Sequence, residues 1–386
     1  MSKMSGTSTT ESMPNGTTKS ETKSTTESLK YITEKYKSLA MSQLKSSLQE
    51  RFVRMALLHM FTHDPCPDGC SCSICLDDHI RENKLDITVQ YYKYNHSSTK
   101  FDIDVISLFK DKHLVFTDCC PSFTVIIELS KVVRSITIIE HHSSKETLAV
   151  MDQYLSDRAI FKDCDVLIVF EPSHHNICAS NMLFTLLNGN INVQVPNKEM
   201  PLWLQVINEG DTDLASKWSI ERRAHHKFLT RDLTKLFELK CTDEKTAIAE
   251  GLKLVEEDRA KVVKILDSAK GPFTVVDSVE KQTSDFYSVD CDEPWLFRDI
   301  SERFFRANFE SNAIVILFMK QLLPDAINWS IRKSPNCPIN LSIFATMIST
   351  RFNNKDIIKG GGHPNASGIQ TTLNFNNIEM FALLFK

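Results

Sequence analysis

Imidazoles and carboxylates recur at four places along this chain, and a glycine-rich run follows them. The places are His63-Asp64-Pro65-Cys66-Pro67-Asp68-Gly69, then Asp118, then Glu140-His141-His142, then Asp211-Thr212-Asp213. The later run is Gly360-Gly361-Gly362-His363-Pro364-Asn365-Ala366-Ser367-Gly368. Nitrogen and oxygen donors of these types bind divalent cations, and two such cations held together suit attack on a phosphate ester.

Chemistry of that kind needs the four blocks to meet, and the apolar pattern says how they do. Met55 to Phe61 is strand-like and leads to His63, Leu114 to Thr117 ends at Asp118, and Ser135 to Ile139 ends at Glu140. Ile87 to Tyr92 and Val166 to Phe170 are two further strand-like runs. Between them Cys70 to Glu82, Ser122 to Val133 and Asn176 to Leu187 have helical spacing, and Pro201 to Ile207 leads toward Asp211. Strands alternating with helices predict a mostly parallel α/β sheet covered on both faces. Such a sheet gathers its strand ends at one edge, where open α/β sheets bind ligands.

Each block has a plain alternative. The first is a polar turn stiffened by Pro65 and Pro67, with Gly69 allowing a tight entry into the next helix. Asp118 could bridge two cations or cap the helix that begins near Ser122. Neighbouring side chains on an extended segment point opposite ways, so His141 and His142 are free to do different jobs. Glu140 could accept an N–H from a ligand histidine and fix its tautomer. Spacing does not choose between Asp211 and Asp213, and an acidic loop is usually a solvated turn. Cys66, Cys70, Cys72 and Cys75 are too crowded for the usual paired zinc motif and read better as thiols packing a helix. Successive glycine N–H groups at Gly360–Gly362 could form an anion-binding nest beside His363. Arg332 in Trp329-Ser330-Ile331-Arg332 could bind phosphate bidentately or form a surface ion pair.

The 386 residues allow two domains and a tail. A polar segment over 1–27 has too few apolar residues to order itself. Glu27 to Arg51 has helical spacing and leads into a domain over 28–241. Thr242 to Asp267 has a charged amphipathic pattern broken only by Gly251, and a helical linker is expected over 242–270. A smaller α/β domain is expected over 271–386, with Pro272–Val276, Ala313–Phe318 and Ala326–Ile331 as strands, Phe297–Phe305 as a helix, and Phe375–Leu384 at its end. A formal charge of −4 gives no global attraction to nucleic acid or anionic membrane. No apolar stretch approaches the roughly 20 residues of a membrane span. Eleven cysteines without a disulfide pattern, and a beginning without the apolar stretch of a secretory signal, point to a reducing compartment. Cytoplasm is the expectation, and the nucleus fits equally.

Together these blocks resemble the DHH phosphoesterase family over roughly residues 52 to 386. The first block is similar to the family's first motif in a His-x-x-Cys-x-Asp-Gly form, Asp118 to its second, Glu140-His141-His142 to its naming motif and Asp211–Asp213 to its fourth. Ser330-Ile331-Arg332 and the GGGH run resemble motifs of the DHH-associated domain. The branch most resembled is that of oligoribonucleases and cyclic-dinucleotide phosphodiesterases, with RecJ-type exonucleases. The resemblance implies two domains with a cleft between them and two manganese ions, with magnesium as a substitute. His63 and Asp118 would hold one ion, and Asp68, Asp118, His141 and Asp211 or Asp213 the other. His142, Arg332, Gly361, Gly362 and His363 would grip the substrate's phosphate, so Asp118, His141 and His142 carry the chemistry. The expected partner is a short oligonucleotide or dinucleotide, with no membrane and a homodimer allowed. Rival readings are an exopolyphosphatase or nucleotide phosphatase of the same superfamily, and a catalytically impaired nucleotide-binding module. Glu140 stands where the family has its naming aspartate, and Asp64 or Cys66 must serve for an early aspartate of the first motif.

Overall fold

The structure, a computed structural model, describes residues 56–63, 66–94, 106–142, 145–171, 176–189, 200–212, 218–276, 283–293, 296–308, 313–323, 326–341, 344–345, 357–363 and 366–372. The expected polar tail, the helix over Glu27–Arg51 and the Phe375–Leu384 segment lie outside these residues, as do Asp64 and Asp213. The described chain falls into two compact units, one formed by residues up to 218 with 229–241, the other by 219–228 with residues from 242 onward.

In the first unit, strands β1 (Leu57–His63), β2 (Thr88–Tyr94), β3 (His113–Thr117), β4 (Ser135–Glu140) and β5 (Asp165–Phe170) form one sheet in the order β2-β1-β3-β4-β5, every pair parallel. The order reverses between β1 and β3, the switch point at which such sheets open a crevice. Central strands covered on both faces are mostly apolar, and β4 (SITIIE) is buried at every position, including Ser135, Thr137 and Glu140. The period of two then divides the side chains between two cores. Phe61, Leu114, Phe116, Ile136, Ile138, Val166 and Ile168 enter one. Leu58, Met60, Val115, Ile139, Leu167 and Val169 enter the other. Helices α2 (Phe123–Ser130) and α3 (Lys145–Ser156) cover the first through Ile126, Leu129, Met151 and Tyr154. Helices α1 (Pro67–Glu82) and α4 (Ala179–Leu187) cover the second through Cys72, Cys75, Leu76, Met182 and Leu183. A fully buried residue such as Phe116 contributes roughly 1.5–3 kcal/mol over its exposed state. Helix α5 (Leu202–Asp211) runs beyond Ile207, so Asp211 is a helix terminus and not part of a loose acidic turn.

In the second unit, α6 (Ile220–Thr230) packs against the long helix α7 (Glu244–Leu266), which starts at Asp243, whose side chain accepts a hydrogen bond from Thr246 N. A Cβ on Gly251 would lie 1.9 Å from Ala224 O, so the one breaker in the linker pattern is what lets these helices touch. Strands β6 (Lys270–Val276), β7 (Thr283–Asp290), β8 (Ala313–Leu323), β9 (Ala326–Lys333), β10 (Ile357–His363) and β11 (Ala366–Thr372) form a mixed sheet in the order β10-β11-β9-β8-β7-β6. Helix α8 (Phe297–Ala307) packs on it, with Phe297 stacked on Phe318 and Ile300 and Val289 beside them. The glycine run is strand rather than turn. Gly360, Gly361 and Gly362 pair with Ile369, Gly368 and Ser367, so their backbones join a ladder and form no anion-binding nest. Low strand propensity hides this in the sequence, because the pairing comes from the neighbouring strand and not from glycine itself. No helix among the described residues is long and apolar enough to cross a membrane.

Candidate metal centre

Three strand ends and two helix ends of the first unit converge on one buried cluster. β1 delivers His63, and α1 begins four residues later with Pro67 at its first turn, a position where the missing N–H costs nothing. Asp68 lies in that first turn, wholly buried. The turn is this tight because residue 69 is glycine: a Cβ there would sit 2.2 Å from His63 O. Asp68 is anchored by a distant element, with Oδ2 accepting from Ala179 N at 2.8 Å and Oδ1 from Ser180 N at 2.9 Å. A carboxylate at the N-terminus of α4 also meets the favourable end of the helix dipole. Asn208 ties α5 to the same place, accepting from Cys178 N at 2.8 Å and donating to Asn176 O at 3.0 Å, and so fixes the helix that ends in Asp211.

Asp118 is the hub. It leaves β3 with φ of +58°, a left-handed conformation that Asp adopts more readily than most residues. The cap of α2 is Ser122, whose hydroxyl accepts from Val125 N, so Asp118 is not spent on capping. Its two oxygens face different groups. Oδ1 lies 3.1 Å from His141 Nε2 and 3.6 Å from His142 Nδ1, whereas Oδ2 lies 3.5 Å from His63 Nδ1. Oδ2 is fully buried and has no hydrogen-bond partner. His141 Nε2 also faces Asp211 Oδ2 at 3.3 Å and Asp68 Oδ2 at 3.7 Å, so three carboxylates surround one imidazole nitrogen.

The two histidines do not diverge as an extended segment would make them. Their ring centroids are 4.4 Å apart, because regular strand stops at Glu140 and the alternation stops with it. Glu140 makes the turn: its Oε1 accepts from His141 N at 2.8 Å and His142 N at 2.9 Å and pairs with His142 Nδ1 at 2.7 Å. The longer carboxylate thus orients both histidines through the backbone.

The charges follow the geometry. Burial alone would raise the Asp118 carboxyl, but the imidazoles of His141, His63 and His142 hold it well below the usual range. Burial opposes the charged form of His141, yet Asp118, Asp211 and Asp68 push it up to about 9. His142 is pushed up to about 10 against its burial, chiefly by Glu140 and then Asp118. Burial and the nearby Asp68 carboxylate raise Asp211 to about 7, and burial with Asp118 raises Asp68. The Cys66 thiol is raised by burial and then by Asp118, Asp211 and Asp68. Asp118 is thus held ionised among the imidazoles, whereas Asp68 and Asp211 are pushed toward their protonated forms.

Three overlapping donor groups have every ligand atom within 4.8 Å of the others: Asp118, Glu140, His141 and His142; His63, Cys66 and Asp118; and Asp68, His141 and Asp211. The mixed imidazole and carboxylate donors, and a buried Asp118 oxygen without a hydrogen-bond partner, fit divalent cations. His63, Asp68, Asp118, His141, His142 and Asp211 therefore come together, and Asp213 lies outside the described residues. Sequence reasoning assigned no role to Asn208 or to the Ala179–Ser180 amides, since no residue type signals a backbone donor. In the second unit, Arg332 on β9 and His363 on β10 both pair with Ala366 of β11, which puts their backbones in one row, roughly 9–10 Å apart across two strand spacings. Gly361 and Gly362 lie beside them on β10. The Arg332 guanidinium donates to Ser330 Oγ and Ile331 O, both at 3.1 Å.

No family model and no curated protein matches the sequence. Among solved structures, the DHH domain of a protein described as a member of a ribosomal-protein family is similar at 16% identity and a TM-score of 0.59, over 93% of this chain and 92% of that one. CDC45 from Entamoeba histolytica matches at 9% identity and a TM-score of 0.48, over 89% of this chain and 98% of that one. RecJ from Thermus thermophilus, in complex with Mg2+, matches at 13% identity and a TM-score of 0.41, over 91% of this chain and 52% of that one.

Proposed function

We propose, starting from a chain whose fold is that of DHH-family proteins, that it is a metal-dependent phosphoesterase cleaving phosphodiester bonds of short oligonucleotides or of linear or cyclic dinucleotides. The observation that carries the proposal is Asp118, a buried carboxylate presenting one oxygen to His141 and the other to His63. That is the disposition of a ligand shared by two cation positions. Asp68, His141 and Asp211 complete one position and His63 the other. Manganese is the ion we expect there, with magnesium as a substitute.

Two divalent cations would supply Lewis acidity at the phosphoryl group and a more acidic water. The chain's own residues do the rest. Asp68, held by the α4 amides, and Asp118, fixed by its turn, keep the acid cluster rigid, so little reorganisation is needed when charge develops. His142 pairs with Glu140 and its side chain is 39% exposed, so it can donate a hydrogen bond to a phosphoryl oxygen or a proton to the departing oxygen. Glu140 spends its Oε1 on positioning, and its extra methylene is compatible with turnover. Arg332 and His363, whose backbones share one row in the second unit, are our candidates for binding the substrate's phosphate.

The test is hydrolysis of short oligoribonucleotides, cyclic dinucleotides, pyrophosphate and polyphosphate by purified protein with and without manganese. We expect cation-dependent cleavage of the first two classes that Asp118→Asn abolishes. Turnover confined to phosphoanhydrides would make the chain a polyphosphatase. Cation binding without any turnover would leave a nucleotide-binding module.

A further inference from the structure

We propose that Cys66 is a thiolate ligand, and that His63, Cys66 and Asp118 form a nitrogen–sulfur–oxygen position for a borderline cation such as Zn2+ or Co2+. The second position, made by Asp68, His141, Asp211 and the other oxygen of Asp118, has only nitrogen and oxygen donors and suits Mn2+ or Mg2+. The proposal rests on the two-cation reading above and adds which ion each half selects.

Four observations carry it. First, a donor atom of each of His63, Cys66 and Asp118 lies within 4.8 Å of the other two, a span one ion can bridge. Second, the Asp118 oxygen on this side, Oδ2, is buried without a hydrogen-bond partner. His63 Nδ1 faces it at 3.5 Å, too long for a hydrogen bond and a distance that a cation between the two would bridge. Third, Cys66 occupies the N-cap of α1 with an extended backbone, two residues before Asp68 in the first turn of the same helix. Fourth, Cys72 and Cys75 belong to one hydrophobic core and Cys119 to the other, whereas Cys66, like Cys70, belongs to neither of these.

Thiolate ligands favour softer ions, and carboxylate sites favour hard ones. Ion binding removes the thiol proton outright, so the protein would release that proton to solvent on loading. One consequence is a centre that discriminates between its halves, with magnesium alone filling only the hard position.

The test is a Co2+ titration of the metal-free full chain, followed by near-ultraviolet absorption. A thiolate bound to cobalt gives a charge-transfer band there that oxygen and nitrogen ligands do not. We expect the band in the natural sequence and in Cys178→Ser, the other thiol near the acid cluster. We expect its loss in Cys66→Ser, which still takes up cobalt by elemental analysis. A second measurement needs no variant: alkylation of Cys66, followed by peptide mass spectrometry, should be slowed by Co2+ or Zn2+ and not by Mg2+. Cobalt bound without the band, a band that survives Cys66→Ser, or alkylation indifferent to every ion would each overturn the thiolate ligand while leaving the two-cation reading intact. Failure of the natural sequence to bind any cobalt would overturn both.

Discussion

Cation affinity at the His141 position should depend steeply on pH, because the ion must displace protons that the acid cluster retains. In the metal-free protein the His141 Nε2 proton lies among carboxylate oxygens at 3.1, 3.3 and 3.7 Å, and the imidazole titrates at about 9. Asp211, which we propose as a ligand of the same position, is raised to about 7. Between pH 7 and 9 one proton leaves per ion bound, so apparent affinity should rise about tenfold per pH unit, or about 100-fold across the window, which corresponds to about 3 kcal/mol. Below pH 7 a second proton, from Asp211, should steepen the dependence. The stability of the metal-free protein moves the other way. The folded pKa of His141 is raised from 6.5, so its stabilising contribution is complete below 6.5 and is lost as pH rises through about 9. The assay is Mn2+ titration by calorimetry from pH 6 to 9 in buffers of different ionisation enthalpy, which counts released protons directly. An affinity independent of pH, or binding with no proton released, would refute the idea that these protons occupy the place of an ion.

Other perturbations isolate single features. Asp118→Asn should keep the fold, since Asn tolerates the left-handed backbone, while losing cation binding; Asp118→Ala should melt lower still, by added strain of about 1–2 kcal/mol. Glu140→Gln keeps an acceptor for the two backbone amides but removes the charge, so NMR titration should find the His142 pKa well below its value of about 10. Glu140→Ala should cost about 3 kcal/mol in denaturant unfolding, because buried donors lose their acceptor. Gly69→Ala, a change that usually stabilises a helix interior by about 1 kcal/mol, should here destabilise and weaken cation binding, because the new Cβ would collide with His63 O. A melting temperature at or above that of the natural sequence would contradict the close approach of α1 to β1.

Where one physical signal dominated, the sequence was enough. The sheet was legible because strands buried on both faces are mostly apolar, and His63, Asp118 and Glu140 stand where those runs stop. The first helix was expected from Cys70, whereas α1 begins at Pro67, whose missing N–H costs nothing in a first turn. Other features depend on contacts between distant residues. Nothing near Asp68 announces that amides 111 positions later will hold it. The period-two rule placed His141 and His142 on opposite sides, but it applies only within the strand, which ends one residue earlier. Helix α6 (IERRAHHKFLT) has only a short apolar face, Ala224, Phe228 and Leu229, and its close packing relies on a glycine of another helix. The glycines of β10 carry no strand signal of their own and are ordered by pairing with β11.

The seating of Asp68 on α4, and of Asp211 at the end of α5, bears on how this protein is made. The ligands span residues 63 to 211, and the amides that pin the earliest acid emerge from the ribosome only after five strands. A nascent chain that ends with β4 has His63 but neither His141 and His142, nor the α4 amides, nor the last carboxylate, so it offers a passing ion no enclosed cage. On the two-cation proposal, a complete ion position exists only once the first unit is almost complete.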